Sequence, residues 1–276
     1  MTKINRRGFL AGTALALIQG ATARADVTPD PLKTFNQPAK GPNTMTIDTH
    51  SLGTKPAGKA GAEIAQLSHQ LDLTLPDSRT VSEAYDHARE ISDPWLFYHV
   101  LRSWLFSAQL AARRQLKPNA EVLAVSALLH DIGLTPVMHG QARFEVVGAI
   151  AASRFAAEHG MGDRDQRLIW DSIALHTTPS LALHKETEVS CCLAGIGLDV
   201  GGQGYDDLGR DAVEAIVRIA PRLAMKENLK ATFIRIARDY PETTYDNALR
   251  DFGQHGVPGY KAPSGMDYLL NGPFAE

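Results

Sequence analysis

Cysteine is nearly absent from this chain of 276 residues, which has only Cys191 and Cys192. Because the two are adjacent, a disulfide between them would be strained, and both read as free thiols on a helix. No disulfide framework exists, and the cysteines leave the compartment open. Neither sign of charge dominates. The formal net charge of -3 excludes the strongly basic surface that points to nucleic acid. No segment alternates apolar and polar residues convincingly, which argues against β-sheet. No internal repeat occurs, and no second hydrophobic span follows the N-terminal one. There is no G-x-S-x-G, Walker or H-E-x-x-H motif either, so those routes to hydrolytic or nucleotide chemistry fall away.

What is present begins with a leader. Asn5-Arg6-Arg7-Gly8-Phe9-Leu10 resembles the twin-arginine export motif. An apolar stretch runs from Ala11 to Ala23, and Ala23-Arg24-Ala25 offers a small-x-small cleavage site before Asp26. Residues 1–25 are therefore expected to be a twin-arginine signal peptide. Cleavage would remove Lys3, Arg6, Arg7 and Arg24 and no acid, taking the formal charge from -3 to -7 by the loss of four positives. The resemblance implies a bacterial periplasmic or secreted protein, exported already folded, with no stable membrane insertion after cleavage. Residues 26–58 carry Pro29, Pro31, Pro38, Pro42 and Pro56 without apolar periodicity and read as a flexible arm.

Residues 59–276 read as one all-α domain. Helices are expected at about 62–71, 82–91, 94–115, 120–131, 143–159, 163–177, 187–200, 210–220, 223–239 and 243–253, with an irregular tail from Gly256. Asp93 and Pro94 suit the N-cap and first turn of one helix, and Asn119 suits the N-cap of the next. Gly133, Gly160 and Gly201-Gly202 are expected stops. The apolar stripe on the 210–239 helices suits either core or the face of a homo-oligomer.

Several of these helices turn ionisable groups inward. Leu96, His99, Ser103, Phe106 and Leu110 recur at helical spacing, so His99 faces the core. Ile169, Ile173 and His176 share a stripe, and so do Val189, Cys192, Leu193, Ile196 and Asp199. The run Ala124 to Leu129 is entirely apolar apart from Ser126 and leads into His130-Asp131. An unpaired buried charge costs several kcal/mol, roughly, and a metal ion is an effective partner. Imidazole and carboxylate together suit a divalent ion such as zinc, with iron or manganese as alternatives.

The order His99, His130-Asp131, Asp199 resembles the H…HD…D signature of the HD-domain superfamily of metal-dependent hydrolases, over about residues 80–200. Narrower matches are His99-Val-Leu-Arg102-Ser-Trp, Leu128-Leu-His130-Asp131-Ile-Gly133-Leu-Thr135, Arg143-Phe144-Glu145-Val146-Val147-Gly148-Ala149 and Ile173-Ala-Leu-His176-Thr177-Thr178. These resemble the cyanamide hydratase branch, whose members use zinc to add water to cyanamide and give urea. The resemblance implies metal ligands His99, His130, Asp131 and Asp199. Two-metal HD phosphodiesterases carry a further histidine after the HD pair, where this chain has Phe144-Glu145. Phenylalanine cannot ligate, so one ion is expected, with His139 and His159 as the nearby histidines that a second ion would require.

A divalent ion lowers the pKa of bound water from about 15.7 towards about 7, giving a nucleophile without Ser or Cys. Asp131 can hold the ion and accept a proton, and His176 is the candidate for proton transfer or substrate binding. Glu145 either orients a ligand or pairs with Arg143, and Arg102 either meets an anion or neutralises an acid near the metal. Thr135, Thr177 and Thr178 are either substrate hydrogen-bonders or caps. Basic residues near the motifs are few, which favours a small, weakly charged C–N substrate such as cyanamide or a nitrile. The alternative is an HD-type phosphohydrolase acting on a nucleotide or other phosphate ester.

Overall fold

The computed structural model describes residues 58–136 and 142–274. The expected signal peptide and nearly all of the expected arm lie outside the described residues, as does His139. No helix among the described residues is long and apolar enough to cross a membrane.

The described residues contain α-helix and short 3-10 turns and no strand, which is the expected all-α class. The helices are α1 Gly58–Leu71, α2 Arg79–Ile91, α3 Pro94–Arg113, α4 Ala120–Leu129, α5 Phe144–Glu158, α6 Asp163–Ala174, α7 Pro179–Ala182, α8 Thr187–Gly201, α9 Tyr205–Leu208, α10 Arg210–Ile219, α11 Met225–Asp239, α12 Leu249–Gly256 and α13 Gly265–Leu270. The short helices α7, α9 and α13 have too few turns to show a period and were not anticipated. Neither was the 3-10 turn Pro241–Thr243, which replaces the expected start of a helix at 243.

Local chemistry sets most boundaries. Ser78 caps α2 by accepting from the Val81 N–H, so α2 begins before the expected residue 82. Asn119 caps α4, its side chain accepting from the N–H groups of Glu121 and Val122. Asp93 is the N-cap of α3, yet its side chain makes no capping bond. Its backbone carbonyl accepts from Leu96 and Phe97, and Pro94 supplies the preset φ.

The core sits around α4. Every residue from Val122 to Leu129 is buried, because α2, α3, α5, α6 and α8 all pack on it. An all-round apolar helix is stable only in such a place. The most extensive pairings are α3 with α8 and α5 with α6. Met225, Leu229 and Ile236 of α11 pack with Leu96, Leu134, Phe144 and Leu249 in a second apolar cluster, so these stripe residues are core.

Gly133 differs from expectation. It does not end α4, which stops at Leu129. It lies within the 3-10 turn Ile132–Leu134, where a Cβ would sit 2.0 Å from the Phe144 carbonyl oxygen. The glycine lets the start of α5 close on the HD turn.

Candidate metal centre

His99 comes from the buried side of α3, His130 from the C-cap of α4, and Asp131 from the residue that opens the 3-10 turn. His99, His130 and Asp131 each offer one ligand atom, and those atoms lie within 4.8 Å of one another, all buried. His99 Nε2 and His130 Nε2 stand 3.2 Å apart, and each is 3.3 Å from Asp131 Oδ2.

The ring protons are assigned by the acceptors on the other side. His99 Nδ1 is 2.7 Å from Asp199 Oδ2, and His130 Nδ1 is 2.9 Å from the Ala127 carbonyl oxygen. In the neutral rings each Nδ1 therefore donates, and each Nε2 presents a lone pair. Two lone pairs facing each other at 3.2 Å repel unless a proton or a cation lies between them. Asp131 Oδ1 is buried without a hydrogen-bond partner. A lone carboxylate oxygen and two facing imidazole lone pairs fit a divalent cation.

Burial opposes charge on His99, but the carboxylates of Asp131 and Asp199 outweigh it and raise its pKa to about 9. The two carboxylates favour positive charge at His99 Nε2, a proton in the absence of an ion and the ion when one is bound. Burial lowers the pKa of His130 despite the adjacent Asp131. Burial pushes the Asp131 carboxyl up, yet the imidazoles of His130, His176 and His99 hold it well below the usual carboxylate range.

His176 is brought to the same place by an unexpected route. α6 ends at Ala174, so His176 lies in the turn beyond the helix rather than on its stripe. Its Nδ1 is 2.6 Å from the Ile173 carbonyl oxygen, and its Nε2 is 3.5 Å from Asp131 Oδ1. The His176 and His130 rings meet edge to face at 5.0 Å, and Phe144 closes edge-on against His176 at 5.5 Å. Burial opposes charge on His176, and Asp131 and Glu145 raise its pKa nonetheless.

Asp199, the fourth expected ligand, stands behind His99. It lies against Nδ1 of His99, while the group that converges uses Nε2, and it is not among the three clustered residues. Its carboxyl is also held well below the usual range: burial raises it, but His99 and Arg102 overcome this. Arg102 faces Asp199, the second of its two expected roles. His159 hydrogen bonds Glu83 of α2 and the Phe155 carbonyl, and so belongs to another part of the fold.

Glu145 is fully buried and accepts from the Thr177 hydroxyl at 2.6 Å, Arg143 Nη2 at 3.0 Å and Asn247 Nδ2 at 3.3 Å. Thr135 donates its hydroxyl to the Ile132 carbonyl and so serves a local turn, whereas Thr178 is the N-cap residue of α7 through its backbone carbonyl alone, its side chain making no capping bond. Asn247 and Arg222 also reach the Glu145 and Asp199 carboxylates, respectively, and no sequence motif marks them. Nothing in their spacing ties them to residues about 100 and 23 positions away.

The HD domain family model matches residues 96–226. That segment carries His99, His130, Asp131, His176 and Asp199 and extends from α3 into α11. No curated protein matches the chain.

Proposed function

We propose that this protein is a metal-dependent hydrolytic enzyme that adds water to a small C–N substrate of the cyanamide or nitrile kind. The observation that carries the reading is the convergence of His99 Nε2, His130 Nε2 and Asp131 Oδ2, 3.2–3.3 Å from one another, inside a segment similar to HD domains. His99, His130 and Asp131 would hold one divalent ion, with zinc favoured. When bound there, such an ion lowers the pKa of its water towards about 7.

The chain's own residues handle the proton. Asp131 turns Oδ2 to the two histidines and keeps Oδ1 free to accept. His176 Nε2, at 3.5 Å from Oδ1, is placed to receive the proton and pass it to product. Phe144 and the cluster it joins keep that side of the site apolar.

A small, weakly charged substrate is supported by where the arginines go. Arg102 and Arg222 pair with Asp199, and Arg143 pairs with Glu145 and approaches Asp246. Among the described residues these three cations face carboxylates of the protein itself. The test is a turnover screen of the zinc-loaded protein against cyanamide, small nitriles, mononucleotides and a model phosphodiester. Urea or amide release that disappears in Asp131→Ala supports the reading. Phosphate release that disappears in the same variant replaces it with the phosphohydrolase, and wild-type protein holding under about a tenth of a metal equivalent rejects both.

A further inference from the structure

We propose that Asp199 is a positioning residue and not a metal ligand: its carboxylate, saturated by Arg102, Arg222 and His99, fixes His99 with Nε2 turned to the cluster. The inference rests on the reading that His99, His130 and Asp131 hold a divalent ion.

An ionised carboxylate has about four acceptor positions. In Asp199 all four are taken. Oδ1 accepts from Arg102 Nε at 2.7 Å and Arg222 Nη1 at 2.8 Å. Oδ2 accepts from Arg102 Nη2 at 2.8 Å and from His99 Nδ1 at 2.7 Å. To ligate an ion, Asp199 would have to release one of these charge-assisted bonds in a dry interior. Releasing either Arg102 bond would leave a buried guanidinium N–H without its charged partner, and releasing the His99 bond would free the imidazole it orients.

Arg102 has no freedom to follow. It is fully buried, and its five N–H donors are all placed. Nε and one Nη2 hydrogen face Asp199. Nη1 donates to the carbonyl oxygens of Ala220 and Pro221, both at 3.0 Å, and Nη2 also approaches Met225 Sδ at 3.5 Å. Arg222 adds a bond from Nη1 to the Asp199 carbonyl oxygen at 3.0 Å, and its Nη2 lies 3.1 Å from Met225 Sδ. The turn that carries these groups holds Leu223 and Ala224 in the left-handed region, at φ +47° and +56°. Such a backbone persists only where its surroundings hold it. Here two arginines hold it against Asp199, so the α10–α11 turn, α8 and α3 are locked together behind one imidazole.

The consequence is chemical. With its Nδ1 proton held by Asp199, His99 keeps a lone pair on Nε2, which is the tautomer a metal requires. The chain then supplies three ligating side chains in this cluster instead of four, leaving more positions for water and substrate.

The test uses the full chain loaded with zinc for affinity, by competition with a chelator, and with cobalt for the visible spectrum. Asp199→Asn should still bind one equivalent, with a cobalt spectrum that overlays the wild type and an affinity weakened about 10–100-fold. Arg222→Ala, a milder change at a partly exposed residue, should weaken affinity in the same direction. If Asp199 were a ligand, releasing it from Arg222 would leave affinity unchanged or tighten it, and Asp199→Asn would alter the cobalt spectrum. Either result overturns the inference while metal binding by the wild type stands. A wild type that binds no metal overturns the functional reading and this inference with it.

Discussion

Each of the three histidines around Asp131 has its Nδ1 held by an acceptor of its own: Asp199 for His99, the Ala127 carbonyl for His130 and the Ile173 carbonyl for His176. All three therefore turn Nε2 towards one carboxylate, but they meet different oxygens of it. His99 and His130 flank Oδ2, and His176 faces Oδ1. On the proposed reading, this division separates holding an ion from moving a proton. His176→Ala should keep about one metal equivalent and lose about 10²–10⁴-fold in kcat. Metal content and turnover measured on the same preparation check this, and parallel loss of metal would make His176 a ligand. Asp131→Asn should lose the ion itself, because it weakens the shared oxygen donor and introduces N–H donors beside two lone pairs. Its metal content should fall below about a tenth of an equivalent.

At the scale of elements, the site depends on two close approaches that only glycine permits. One is Gly133 beneath the Phe144 carbonyl, which brings α5 onto the HD turn. The other is Gly195 of α8, where a Cβ would lie 2.1 Å from Ser107 Oγ and 2.3 Å from the Ser103 carbonyl oxygen of α3. The α3–α8 pairing carries His99 on one helix and Asp199 on the other, so their register sets the 2.7 Å bond between them. Gly195→Ala must push the helices apart. The expected destabilisation is about 1–3 kcal/mol in a urea titration, the usual range for overpacking. Zinc affinity should fall with it, because the His99–Asp199 bond lengthens. Unchanged stability would mean that α3 and α8 can part without strain.

At the scale of the whole molecule, an ion bound only by the native state adds stability by mass action. At about 1,000 times the dissociation constant this amounts to about 4 kcal/mol. For a domain of this size that is a Tm increase of roughly 10 °C. Chelation should remove it from the wild type and leave Asp131→Asn unchanged, as differential scanning calorimetry would report. Much of this architecture was legible in the sequence. The 3.6-residue apolar period that placed His99 and Asp199 inward is a local property, and so is the capping by Asn119. The all-apolar run before His130-Asp131 likewise has no stable place except the centre of a bundle. Long-range contacts were not legible. His176 was expected on a helical stripe, but α6 ends two residues earlier and the turn delivers the ring instead. Gly133 was expected to stop a helix, and its purpose emerged only with Phe144 packed above it. Asp199 is the clearest case. Its helix face follows from periodicity, but whether it meets an ion or an imidazole depends on Arg102 and Arg222, which reach it only after α3 and the α10–α11 turn have docked. By itself the sequence determined the helices, their buried faces and the chemical types at the centre, because helical period and apolar burial act over a few residues. Only the tertiary structure decided which nitrogen faces which oxygen, because hydrogen bonds in a dry core are allotted among groups about 100 residues apart.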